Sequence, residues 1–403
     1  MNSHILFITS SNLATNPRCL KEIKLALSLE CKVSVIKFNL NNWSRPLEDN
    51  IEQSLPQAKF YNVNAGRDPF YPWLMSTFLS VAGSVGCRLF PANGYLHALA
   101  AGKRTWLILK VITKFSVRAD FIIAHNPAAF WPAFALAKKI KVPFAIDVED
   151  YHPGEFDNIY KAINMEVLMK KVLPSARYVS FASSPIQQLT VTKIPAITKS
   201  FVLHNCFEKN EFLLPGNSVA SSKLKIVWFS QNINHSRGLE LVLPVLAQFK
   251  ELVTVTLIGN INSEFAKKLE SFYSFLKIVP PLLQTELHHL LKSFDIGLAV
   301  EPGKDLNNDI ALSNKIWSYF QAGLFILASA TTGQKELLQE HNFHGILFDF
   351  KKDSSLQEAI GYLIQNKEDI RIQKVDRYKK ALNNSWEKEA GKLLQEWKEA
   401  LAT

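Results

Sequence analysis

Only four cysteines occur in 403 residues, Cys19, Cys31, Cys87 and Cys206, and no two of them form a Cys-x-x-Cys pair. That argues against a zinc site or a disulfide framework and suits a reducing compartment. The N-terminus lacks a basic segment leading into an apolar core and a cleavage site, so no secretory leader is expected. Helix-turn-helix, RNP and zinc-finger patterns are missing too, and no nucleic-acid partner is expected. No repeat of solenoid period is present. Apolar residues make up 47% and charged residues 20%, ordinary proportions for a globular chain with room for two domains and a large core.

Acid is scarce in the first half. Residues 1–200 carry 23 Lys and Arg against 13 Asp and Glu, whereas the rest carries 23 of each, so the net charge of +10 belongs to the first half. Such a surface suits an anionic membrane or an anionic lipid-linked substrate, or it serves solubility alone. Residues 69–87, PFYPWLMSTFLSVAGSVGC, carry no charge, and Arg88, Lys103, Arg104, Lys110, Lys114 and Arg118 follow. Three readings stay open for the run: a membrane span, weakened by Pro69, Pro72 and two glycines; a helix dipping into a membrane or lining a lipid-acceptor groove; or a helix buried in the domain. The region 69–118 is thereby a candidate for peripheral contact with an anionic membrane.

The chain reads as alternating strands and helices. A strand over 5–9 is followed by a helix that Asn16 and Pro17 start and that carries Leu20, Ile23 and Leu27 at helical spacing, then by a strand over 33–38. This βαβ unit predicts a parallel sheet with a ligand crevice at the C-terminal ends of its strands. Arg18 falls in the first helical turn, free for a ligand or paired with Glu22. The strand 120–124 ends in His125 and Asn126, and the strand 143–146 runs into a loop holding Asp147, Glu149, Asp150, His152 and Glu155. Acids and imidazole just past a parallel strand stand where α/β proteins place chemistry, though a solvated acidic loop has the same composition. The last strand of this half covers 201–204. A Pro-, Gly- and Ser-rich stretch, 208–222, reads as a linker. The pattern then restarts with a strand over 226–229 and a polar loop ending in Arg237 and Gly238. Further on come a strand over 296–300, twelve residues of loop, and a helix that Ser313 caps, carrying Ile316, Trp317 and Phe320. Lys315 lies in the first turn of that helix, where the macrodipole disfavours a cation unless an anion binds there or the side chain reaches away.

The order strand–Arg-Gly–helix, strand–Gly, strand–loop–Asn-Lys helix–Ala-Gly–strand resembles the retaining, nucleotide-sugar-dependent glycosyltransferases of GT-B family 4. TNPRCLKEIKLAL and ADFIIAHNPAAFWPAFALAKKIKVPFAIDVEDYHPGE resemble that family's opening helix and mid-domain block. The resemblance implies an α/β GT-B fold of two facing Rossmann-like domains with a cleft between them. It places an acceptor domain at 1–207, a donor domain at 223–380 and a C-terminal helix, 381–403, returning to the first domain. Arg237 stands at the family's diphosphate lysine, and Ser230 or Gln231 at its arginine. The paired glutamates of the family's E-x7-E are replaced by Ile310 and Ser318, with Glu301 the nearest acid. Ser313, Asn314, Lys315, Gln334 and the loop residues Asn307, Asn308 and Asp309 complete the donor side. The family's histidine falls at Glu149. Glu149, Asp150, His152 and Glu301 become candidate catalytic groups, and Asn16, Arg18, His125, Asn126, Asp147 and Glu155 candidate acceptor contacts. The activity implied is sugar transfer to a glycan or lipid-linked acceptor with no metal or other cofactor, in cell-surface polysaccharide synthesis, in the cytoplasm or on the inner face of the membrane. The lost glutamates leave a non-catalytic sugar-binding protein as an alternative, and a UDP-sugar 2-epimerase shares the fold.

Overall fold

The computed structural model describes residues 3–216, 221–235, 237–340, 344–352 and 354–401. The chain divides into two compact units, Met1–Leu203 with Ala390–Thr403, and His204–Glu389. Part of the expected linker, 217–220, lies outside the described residues, as does Ser236 in the loop before Gly238.

The first unit holds seven parallel strands: β1 (His4–Thr9), β2 (Lys32–Asn39), β3 (Lys59–Asn64), β4 (Phe121–His125), β5 (Phe144–Val148), β6 (Val179–Phe181) and β7 (Ser200–Val202). Their order is β3-β2-β1-β4-β5-β6-β7. Direction of travel reverses between β1 and β4, which opens a crevice beyond the strands' C-terminal ends. Ile5, Leu6, Phe7 and Ile8 are all fully buried, as a strand covered on both faces requires. The helix Pro17–Ser28 starts as expected, with Asn16 Oδ1 accepting from the Cys19 N–H at 3.0 Å. The segment from Ala390 closes the unit. Trp397 is fully buried, donates its indole N–H to Tyr178 Oη at 2.9 Å and meets the Phe7 ring edge-on at 6.4 Å. Lys199 Nζ pairs with Glu396 at 2.8 Å, and Lys392 Nζ donates to the Val202 carbonyl.

The second unit holds six parallel strands: β8 (Leu224–Asn232), β9 (Val253–Asn260), β10 (Leu276–Val279), β11 (Ile296–Ala299), β12 (Phe325–Ser329) and β13 (Gly345–Phe348), in the order β10-β9-β8-β11-β12-β13. Its switch point lies between β8 and β11. Successive β8 residues serve opposite faces: Ile226 and Trp228 join one core cluster, Val227 the other.

Several boundaries move. β8 continues to Asn232 because a bulge after Phe229 lets Asn232 pair with Asn260. The last strand of the first unit is Ser200–Val202 rather than 201–204. The twelve residues after β11 are not all loop: Asp305 accepts from the Asn308 N–H and starts the short helix Leu306–Ile310. The uncharged run forms the helix Phe70–Leu89. Among the described residues no helix is long and apolar enough to cross a membrane, so the spanning reading of 69–87 falls.

Candidate functional site

In the second unit the site is built from the turns that follow β8, β11 and β12. Gly238, at φ +82°, closes the turn after β8; a Cβ there would lie 2.4 Å from Val300 Cγ1, so only glycine lets the turn press on the end of β11. Beyond β11, Glu301 is fixed through its backbone. Its N–H donates to Ser329 Oγ at 2.9 Å, and its carbonyl accepts from the same hydroxyl at 2.8 Å. Gln334 Nε2 holds that hydroxyl from behind at 3.1 Å. Asn234, Arg237, Glu301, Pro302, Lys304 and Asn308 line a cavity of about 250 Å³ among these turns.

Ser313 caps the helix Asn314–Gln321 by accepting from the Lys315 N–H at 3.3 Å. Lys315 sends its ammonium to Glu301 Oε1, 3.0 Å away, and over the Trp228 ring at 5.8 Å from the centroid. A cation at the wrong end of a helix is thus held by a carboxylate and an aromatic face. Asn314 Oδ1 accepts from Asn205 Nδ2 at 2.8 Å.

Two expected donor contacts point elsewhere. Ser318 is buried, and its hydroxyl lies 3.2 Å from His288 Nε2; the other ring nitrogen of His288 meets Glu211 at 2.9 Å. Gln334 is buried as well and acts on Glu301 through Ser329. Ser230 and Gln231 belong to β8, Ser230 half-buried and Gln231 exposed, because the strand runs past the point where a loop is expected. The cavity therefore gathers Arg237, Glu301 and Asn308, with Lys315 behind Glu301.

The first unit carries a second cluster at its own switch point. Arg18 is not paired with Glu22. Its Nε and Nη2 grip both oxygens of Asp147, at 2.7 and 2.5 Å, while Nη1 donates to the Leu203 carbonyl at 2.5 Å. Ser180 Oγ donates to Asp147 at 2.6 Å. Both members of the pair are buried, so Arg18 and Asp147 form an internal strut rather than an acceptor contact. Burial opposes ionisation of Asp147, but the Arg18 guanidinium outweighs it and holds the carboxyl well below its usual range.

His125, fully buried at the end of β4, lies between carboxylates. Its Nε2 is 3.6 Å from Glu22, and its Nδ1 is 3.3 Å from Asp147 and 3.5 Å from Glu149. Burial pulls the imidazole down, but Cys19, Glu22 and Asp147 hold it well above its ordinary value. Burial pushes the Cys19 thiol up, so it is uncharged near neutrality and the carboxylates supply that field. Burial also raises Glu22. Glu22, His125 and Asp147 present ligand atoms within 4.8 Å of one another, close enough to consider a metal. The two carboxylates, however, address opposite nitrogens of one ring, and Asp147 is already spent on Arg18, so the arrangement fits a buried ion cluster better than a shared metal. Glu22, Cys19 and Ser180 were not among the expected site residues; Glu22 was legible only as a local partner for Arg18.

Glu149 is the partly accessible member of this group. Asn126, at φ +66°, accepts from Thr9 Oγ1 at 2.8 Å and from Asn16 Nδ2 at 3.3 Å, closing the turn after β4. His152 is buried with its Nδ1 2.9 Å from the exposed Glu155; burial opposes its protonation, but Glu155 raises it above the ordinary histidine value. Asp150, half-buried, lends its carbonyl to the His152 N–H at 2.9 Å. A larger cavity, about 440 Å³, opens near the N-terminal end of β2 beside Lys24, Leu27 and Cys31.

The raised His125 has a consequence for stability. A proton held more tightly in the folded state stabilises fully below the unfolded value of 6.5 and is lost as pH rises through the folded value. The urea midpoint should therefore fall as pH climbs above 6.5. His125→Gln should flatten that limb; an identical slope in the variant would assign the proton elsewhere.

No protein-family model matches the chain, and no curated protein matches its sequence. Solved structures do match its shape. HepE of Anabaena, solved in complex with UDP, gives a TM-score of 0.63 at 13% identity, covering 98% of this chain and 99% of that one. HepE was also solved in complex with UDP-glucose. Sucrose-phosphate synthase from Thermosynechococcus elongatus gives 0.66 at 12% identity over 100% of both chains. TarM gives 0.64 at 10% identity, over 100% of this chain and 99% of that one. At these identities the likeness is one of architecture. The chain has the GT-B fold, with its two Rossmann-like α/β domains.

Proposed function

We propose that this protein is a glycosyltransferase that moves a sugar from a nucleotide-sugar donor to a glycan or lipid-linked acceptor with retention at the anomeric carbon, in cell-surface polysaccharide synthesis. The observation that carries the reading is the cavity at the β8–β11 switch point, lined by Arg237, Glu301 and Asn308, with Lys315 at the helix start beside Glu301. Breaking a sugar–phosphate bond leaves charge on a diphosphate. Arg237, Lys315 and the positive end of the helix Asn314–Gln321 suit that charge without a metal. Glu301 supplies the carboxylate that would accept hydroxyl donors from the ribose or the sugar. The leaving phosphate is the base we assign for the acceptor hydroxyl, the proton passing to the phosphate oxygen as the new glycosidic bond forms on the same face. Glu149 and Asp150 would orient the acceptor. Binding of HepE to UDP and UDP-glucose supports a uridine donor first among those to test.

The test is a panel of UDP-, GDP- and dTDP-sugars with lipid-linked and free glycan acceptors, the product anomer being read by NMR. One donor consumed with a retained linkage is the expected result. Nucleotide-sugar binding with no turnover on any acceptor would replace transfer by a non-catalytic sugar-binding role, and release of a free 2-epimer would make the protein an epimerase.

A further inference from the structure

The helix Phe70–Leu89 is amphipathic in an unusual sense: a row of bulky apolar side chains faces out, and its buried side is made by Ser76, Gly83 and Cys87. Phe70, Leu74, Phe78, Val81, Val85 and Leu89 are 45–71% exposed. Their spacing of four, four, three, four and four places them in one arc of about 100° along the whole helix. Ser76, Gly83 and Cys87 occupy the opposite, buried side. There the backbone lies so close to the helix Gly94–Ala101 that a Cβ on Gly83 would fall 2.8 Å from Leu99 Cβ. Gly83 therefore fixes which face is turned out. A helix meant only to fill a core would bury its phenylalanines.

The stripe is edged by cations held on aromatic rings. The Arg88 guanidinium lies 5.1 Å from the centroid of Tyr160, itself exposed in the first turn of the helix Ile159–Val172. Arg67 and Lys103 stand over Trp73 at 5.2 and 6.0 Å. From residue 69 to residue 119 the sequence has no Asp or Glu but six Lys and Arg. One of the six drops out of the surface: Arg104 turns inward, donating to the Ser10 carbonyl. An uninterrupted apolar arc along about 30 Å of helix, basic at its margins and free of acid, complements an anionic bilayer surface.

We infer that the outer face of Phe70–Leu89, extended by the first turn of Ile159–Val172, docks this unit on anionic lipid, the helix lying in the interface plane with Arg88 and Lys103 at headgroup level. The surface stands without the transfer reading, because its test uses no donor and no activity.

The experiment is sedimentation of the full chain with vesicles of phosphatidylcholine alone or mixed with phosphatidylglycerol, at low and high salt. Binding to the mixed vesicles, weakened by salt, is expected. The triple variant Phe78→Gln, Val81→Gln, Val85→Gln should lose about tenfold or more in vesicle affinity, with its circular dichroism unchanged because all three side chains point outward. The pair Arg88→Gln, Lys103→Gln should lose affinity chiefly at low salt, where charges are least screened. Absence of wild-type binding to the mixed vesicles would overturn the assignment. So would equal binding by the triple variant, or a wild-type dimer that only the triple variant dissociates, which would make the face a contact between copies.

Discussion

Arg18→Met should destabilise the first unit by about 3–5 kcal/mol, the range found when one partner of a buried ion pair is removed. The estimate follows from where the carboxylate is left. Asp147 is 1% exposed and would keep only Ser180 and the neighbouring His125 for company. A loss of that size is a large share of the roughly 5–15 kcal/mol by which most domains are stable, so the urea midpoint should drop visibly. Arg18→Lys should rescue little, since an ammonium cannot span both Asp147 oxygens and still reach the Leu203 carbonyl. The pH response separates this account from a simple packing loss. In the wild type the depressed Asp147 stabilises above the unfolded carboxyl value of 3.8 and loses that contribution as pH falls through the lower folded value. In Arg18→Met burial is opposed only by His125 and Ser180, the folded carboxyl moves upward, and the variant should regain stability relative to wild type on acidification. A deficit constant with pH would mean that the guanidinium served as filler.

Lys315→Ala should reduce transfer from the nucleotide sugar by roughly 10²–10³-fold while leaving the fold intact, the scale observed on removing one preorganised donor from a developing oxyanion. The ion pair with Glu301 makes the effect larger than loss of one contact. With Lys315 gone, Glu301 remains mostly buried, its side chain 16% exposed, and turns an uncompensated charge towards the place proposed for the diphosphate. Lys315→Ala with Glu301→Gln should consequently bind the donor better than Lys315→Ala alone, a coupling that a double-mutant cycle measures directly. Equal donor affinity in wild type and Lys315→Ala would remove the lysine from the diphosphate site.

The fold was legible where strands are buried on both faces and blurred where they are not. Ile5–Ile8 of β1 and Phe121–Ala124 of β4 are runs of buried apolar residues and announce themselves. β3, β10 and β13 stand at sheet edges; in β3 only Val63 is buried, so neither an apolar run nor a strict alternation marks it. The site was harder to read. Sequence offers Arg18 a partner four residues on, at Glu22, yet the guanidinium crosses to Asp147, 129 positions away. Local spacing lost there to long-range burial. Ser318 occupies its expected place on the helix, but the rotation of that helix, set by Ile316, Trp317 and Phe320 packing inward, carries the hydroxyl into the core with His288. An apolar sequence also gives no sign of which side of Phe70–Leu89 faces water, since Gly83 acquires meaning only beside Leu99.

The closure of the first unit by Ala390–Thr403 bears on how the protein is made. Tyr178 and Phe7 receive their partner Trp397 only when some two hundred further residues have left the ribosome. At translation rates of about 5–20 residues per second, that is a wait on the order of ten seconds or more with this part of the core unfinished. The second unit, by contrast, is continuous in sequence and has no such delay built into it. Nascent chains stalled before Ala390 should accordingly present the uncovered Phe7–Tyr178 wall to chaperones.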